Sequence, residues 1–206
     1  DGGEIPRVDP VVRFAHGMAP GDQAKSQAVF TTPSAGEVIA ERDPVDSGVL
    51  WIKWPGKLEG KSPRLTFKEW RAASKHAMST PAANAPFHGP DNGAGKPLWT
   101  YHAEIDPAPP GKSPLFARAG FIHPLCAPDG SELTGSRPSD HLHHMGVWHA
   151  WTAAVSNGKK LDFWNIGDGH GTVRFKDYLW RHQGTVWQGF AATQQSIAWP
   201  GKAEES

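Results

Sequence analysis

The sequence predicts an all-β protein, an antiparallel β-sandwich-like domain preceded by a long, largely irregular N-terminal arm, and three observations carry that reading. The 19 prolines and 23 glycines among 206 residues make up about a fifth of the chain against an average near 12%, which favours turns over long helices. From Leu98 onward, runs of alternating aromatic and polar residues are separated at regular intervals by turn signals. Ten tryptophans against two tyrosines supply large rigid surfaces, suited to a β core or to a ligand platform. A chain of this length is expected to hold one domain with a sizeable core, or one domain plus a long irregular arm, rather than two full domains.

Residues 1–97 contain eleven of the prolines but only three of the tryptophans, and their apolar residues hold no period for long. This part reads as the arm. Within it, "GVLWIKWPG" (48–56) alternates as a short strand does, and "TFKEWRAASKHAM" (66–78) fits a short helix capped by Thr66, with Phe67, Trp70 and Ala73 or Ser74 on one face. "STPAANAPFHGPDNGAGKP" reads as a linker. The β domain is expected over 98–206. Its strands fall in "PLWTYHAEI" (97–105), "LFARAGFIHPL" (115–125), "HAWTAAVS" and "LDFWNI" (161–166), with turns at "APDG" and "NGKK". "TVRFKDYLWRH" and "TVWQGFAATQQSIAW" flank Gln183–Gly184 and should form a hairpin.

Lysine plus arginine equals aspartate plus glutamate, 21 each, so no global field favours nucleic acid or an anionic membrane. No apolar run is long enough to span a bilayer. The single cysteine, Cys126, excludes an internal disulfide and a multi-cysteine zinc site, and with only His123 as a close basic neighbour it reads as a buried inert thiol. A start at Asp1 without methionine is what a removed signal peptide, a trimmed tag or an excerpted segment leaves.

The chemistry concentrates in "SDHLHHMGVWHAW" (139–151), which holds four histidines and two tryptophans. In extended backbone His141 and His143 would share one side and His144 would face the other, the simplest geometry for chelating a divalent metal ion. A further ligand would come from His123, Asp140 or His149, although the spacing matches no dedicated zinc motif. Asp140 beside His141 equally suits acid/base work, with His123, Asp140 and His144 as the catalytic candidates. Arg118 offers a planar fork for a substrate carboxylate or polar oxygen. Trp148, Asn165 and Asp168 complete the expected substrate-binding set, and His170 stands beside them. The competing reading is a packed loop whose imidazoles are satisfied by backbone carbonyls, with Trp148, Trp151 and Trp164 mainly in the core.

"ARAGFIHPLCAPDGSELTGSRPSDHLHHMGVWHAW" and "DFWNIGDGHGTVRF" resemble the soluble bacterial domain family called PmoA-like or DUF6807, over about residues 98–199. That family's hallmarks are a "GFIHPLYSPDG" segment, a "PxDHxHHRG" segment and a later "DFWN" segment. The resemblance implies a mainly β, sandwich-like fold in an exported protein, periplasmic or secreted, with a carbohydrate-related role and a saccharide as partner. The oxygenase activity behind the label belongs to a membrane-embedded enzyme and is not carried over. Met145 stands where the family has arginine, and the family domain is expected to run on beyond "WPGKAEES". Those departures motivate a second expectation, a non-catalytic accessory subunit whose N-terminal arm and exposed C-terminal strand contact other protein subunits.

Overall fold

The computed structural model describes residues 11–15 (as backbone), 27–33, 36–43, 46, 48–54, 65–72 and 84–198. The described residues are almost entirely strand and turn, with antiparallel pairing, as the composition predicts. No helix among them is long and apolar enough to cross a membrane. Contacts divide the chain into two units, Asp1–Ser79 with Trp180–Phe190, and Thr80–Leu179 with Ala191–Ser206.

The first unit carries β1 (Val11–Ala15), β2 (Gln27–Thr32), β3 (Gly36–Arg42), β4 (Val49–Lys53) and β5 (Thr66–Arg71) in one sheet, ordered β1-β4-β3-β2-β5. Where the sequence predicts a largely irregular arm with one short strand, the structure therefore holds a five-stranded sheet. Its second strand escapes an alternation search because Gln27, Ala28, Val29 and Phe30 are all buried, and a short run buried on both faces shows no period. Ala28, Phe30, Val38, Ala40, Leu50, Ile52 and Trp54 form the core here.

The helix expected from Thr66 is a strand over its described residues, and the reason lies in a bulge. In the β2–β5 ladder Phe30 pairs with Phe67 and Ala28 pairs with Trp70, so the step of two residues on β2 is matched by three on β5. One extra residue in the bulged strand brings Phe67 and Trp70 to the same face, with their rings 5.9 Å apart. A spacing of three, which reads as helical, is here the spacing of a bulged strand. Residues 73–78 of that expected helix lie outside the described residues.

Glu41 on β3 is 2% exposed and joins this sheet to the segment Trp180–Phe190 of the same unit. Its carboxylate accepts hydrogen bonds from Gln27 Nε2 (3.0 Å), His182 Nε2 (3.1 Å), the Thr185 hydroxyl (3.0 Å) and the backbone N–H groups of Thr185 (2.9 Å) and Val186 (3.2 Å). The His182 ring stacks on Trp187 at 4.0 Å. A side chain at Gly184 would collide with the Glu41 carboxylate, so the turn predicted at Gln183–Gly184 needs glycine for packing.

The second unit is built on a four-stranded sheet of β6 (Phe87–His88), β7 (Trp99–His102), β8 (Phe121–Leu125) and β9 (Val147–Trp148), in that order. A hairpin of β10 (Ala154–Ser156) and β11 (Lys159–Leu161) turns at Asn157 and Gly158, both at positive φ, the conformation a two-residue hairpin favours. The expected final hairpin is present as β12 (Gly171–Gln183) paired with β13 (Gln188–Ala198). Tyr101, 3% exposed, packs its ring against Phe175 and Tyr178, and its hydroxyl accepts from Gln194 Nε2 at 3.2 Å.

Candidate functional site

The histidine stretch is a braced turn, not the extended backbone that the sequence suggests. Ser136 bridges Met145, the Gly146 N–H donates to the Gly135 carbonyl (2.9 Å), and the Arg137 N–H donates to the His144 carbonyl (2.7 Å). Two further turns follow inside, His141 N–H to Pro138 O and His144 N–H to His141 O, both at 2.9 Å. The Arg137 guanidinium ties the base of the loop to the carbonyls of Pro107, Asp106 and Phe116 and to the Asp106 carboxylate (3.2 Å). Sequence reasoning passed over Arg137, whose only local signal is its place before Pro138 at the head of the motif.

Met145 is fully buried and contributes packing. Gly146 follows at φ +59°, where a Cβ would press on the Ile122 carbonyl oxygen of β8. Gly146→Ala is expected to cost roughly 2–3 kcal/mol, because the left-handed conformation alone costs about 1–2 kcal/mol and the strand backbone must also shift. Thermal denaturation against wild type checks this.

The turn gathers three imidazoles rather than two. His141 and His144 stack at 4.9 Å with planes 24° apart, His143 stands edge-on to His144 at 4.5 Å, and His141 and His143 are 5.7 Å apart. The expectation that His144 faces away is corrected by the chain reversal at 138–144, which folds the alternate side back. Trp148 and Trp164 close the cluster, at 5.3 and 5.8 Å from His144 and 5.6 Å from one another. These indoles are not core: Trp164 is 37% exposed, Trp151 is 56% exposed and Trp148 is half-buried.

Asp140 Oδ2 lies 3.0 Å from His141 Nδ1. Its own backbone N–H and His141 hold the Asp140 carboxyl below the usual range. With the His141 proton on Nδ1 directed at Asp140, Nε2 is left as the acceptor. Burial, and then the charges of His144 and His141, push the His143 pKa below its ordinary value against the opposing pull of Asp162 and Asp168. These surroundings favour the neutral form of His143. The arrangement is suited to moving protons near neutrality beside exposed indole surface.

The residues do not fit the expected divalent ion. Among the described residues no group of three or more His, Cys, Asp or Glu side chains is placed to hold a metal. The pair expected to chelate, His141 and His143, stands with ring centroids 5.7 Å apart and planes 65° apart, and His141 Nδ1 is already engaged by Asp140.

His123 turns elsewhere, its Nδ1 3.1 Å from the Thr134 hydroxyl and its Nε2 3.8 Å from Glu132. Arg118, expected to clamp substrate, is fully buried, and donates to the carbonyls of Phe163 (3.1 Å) and His149 (2.7 Å). Those carbonyls flank Trp164 and Trp148, so Arg118 positions the two indoles and does not itself meet a ligand from solvent. The "DFWN" segment is held by Asp162, whose carboxylate accepts from the backbone N–H groups of Trp164 (2.7 Å) and Asn165 (2.9 Å) and from Asn165 Nδ2 (2.8 Å). Asn165 thus shapes the loop that presents Trp164. Asp168 ends a single 3-10 turn, Ile166–Asp168, and its charge reaches His143.

No curated protein and no solved structure matches the chain. A family model matches residues 92–205, a span that holds the braced histidine turn, both indoles, Arg118 and the Asp162 loop. The geometry therefore lies in the part of the chain that its relatives share, and the chain belongs to the family of unknown function DUF6807.

Proposed function

We propose that the imidazole–indole cluster of the second unit is a carbohydrate-binding site in which histidines handle protons. The observation that carries this reading is that one braced turn gathers His141, His143 and His144, and that His144 meets both Trp148 and the exposed Trp164. An exposed indole offers a flat apolar face to the C–H surface of a sugar ring, and neutral imidazoles offer both donors and acceptors to its hydroxyls. His143, whose surroundings favour its neutral form, takes the role of base, and the Asp140–His141 pair orients a second imidazole. His144, in contact with both indoles, is the imidazole nearest the stacking surface.

The test is a titration of wild type, Trp164→Ala and His144→Ala against neutral and acidic oligosaccharides, followed by tryptophan fluorescence. Wild type should bind at least one of them, with affinity lowered about tenfold in Trp164→Ala, near 1.4 kcal/mol. Protonation of His143 should weaken binding as pH falls, since the charged ring loses its acceptor nitrogen. Absence of binding to every saccharide, or unchanged affinity in both variants, would remove the proposal.

A further inference from the structure

We propose that the second unit carries a separate binding site, a cleft at the ends of β7 and β8 that takes a small hydroxylated carboxylate. The cleft shares no side chain with the imidazole–indole cluster. The cleft encloses about 290 Å³, close to the lower end of small-molecule sites. One wall is the Asp91–Pro97 loop and the other is the Cys126–Glu132 turn, with Leu98, Thr100 and Pro124 between them.

Both walls are braced by hydrogen bonds of their own. Asp91 Oδ1 accepts from the N–H groups of Gly93 (2.6 Å) and Gly95 (3.1 Å), and the Asn92 N–H donates to the Lys96 carbonyl (2.9 Å). Opposite, the Gly130 N–H donates to the Ala127 carbonyl and the Ala127 N–H to the Ser131 carbonyl, each at 2.8 Å. A preformed cleft loses little freedom when it is filled.

The side chains define the ligand. The Lys96 ammonium has no partner among the described residues, and Asn92 engages its Oδ1 with the backbone N–H groups of Ala94 and Lys96, which leaves Nδ2 as a donor. Together they suit one carboxylate. Glu132 brings a half-exposed carboxylate and Thr100 a hydroxyl that is 3.0 Å from His88 Nδ1, both fitted to ligand hydroxyls. The Glu132 charge also opposes a dianion, so a monoanionic carboxylate fits better than a phosphate. Leu98 and Pro124 give apolar contact to a short carbon skeleton.

Cys126 opens on this cleft and is half-buried, which corrects the expectation of a sealed thiol. As the chain's single cysteine it reports on the cleft alone. The experiment follows alkylation of Cys126 by iodoacetamide in the full chain at one fixed pH, with gluconate as the probe and glucose, glycine and inorganic phosphate as comparisons. Gluconate should slow alkylation several-fold and saturably, the others should not, and Lys96→Met should abolish the protection. Calorimetric titration of gluconate into wild type and Lys96→Met gives a second readout independent of thiol reactivity. Protection by glucose, glycine or phosphate equal to that by gluconate, protection retained in Lys96→Met, or no heat and no protection with gluconate would overturn the proposal. Variants of Trp164 and His144 should leave gluconate protection intact, so the two sites succeed or fail separately.

Discussion

Replacing Glu41 by alanine is expected to destabilise the first unit by about 3–5 kcal/mol, the range for removing one partner of a buried charged network. The variant leaves Gln27 Nε2, His182 Nε2 and the backbone N–H groups of Thr185 and Val186 without their acceptor, and a buried donor with no acceptor carries its full desolvation cost. Burial alone would raise the Glu41 pKa. The hydrogen bonds from His182, Gln27, Thr185 and Val186 outweigh that and hold it at about 2. Because the folded value lies below the unfolded one of 4.5, the unfolded chain takes up the proton more readily as acid is added. The contribution of roughly 3 kcal/mol is therefore complete above the unfolded value and is lost as pH falls from there toward 2. Urea denaturation of wild type and Glu41→Gln across that window provides the measurement. The wild-type curve should lose stability more steeply with acid, and parallel curves would show that the carboxylate is not the acid-labile group.

Arg118→Met should cost about 2–4 kcal/mol in the second unit, and should also disturb Trp148 and Trp164. Methionine fills much of the volume but donates nothing, so the carbonyls of Phe163 and His149 lose their donors, at about 1–3 kcal/mol for the buried Phe163 bond and less for the part-buried His149 bond, offset in part by removal of a charge. That charge is itself a burden. Burial, and then neighbouring Arg174, lower the Arg118 pKa to about 10, which still leaves it protonated at neutral pH. Arg118→Lys should rescue only part of the loss, because an ammonium cannot reproduce a planar fork that reaches two carbonyls. Chemical denaturation reads the stability, and near-ultraviolet circular dichroism reads the indole packing. A stable Arg118→Met protein with an unchanged indole spectrum would show that Arg118 does not position the pair.

Both of these residues were visible in the sequence only as letters. Arg118 reads naturally as a ligand clamp, since nothing local tells that its guanidinium is enclosed and committed to carbonyls 31 and 45 residues away. Glu41 carries no local sign at all, because four of its five hydrogen bonds come from residues more than 140 positions distant. The histidines were legible as a site by density and by their place in the family motifs. Their geometry was not, because one chain reversal decides whether His144 joins His141 or faces away from it.

What the sequence determined by itself was the class of fold, the turns and the family. Turn chemistry is local at Asn157–Gly158, where both residues take the positive φ that a two-residue hairpin favours. Tertiary structure alone decided that β1 to β5 form one sheet, that a bulge turns a helix-like spacing into a strand, and that three imidazoles gather beside two indoles. Those outcomes depend on which distant segments bury one another. Burial energy is non-directional, so the partner segment, and not the local pattern, sets the register, the ring contacts and the fate of each charge.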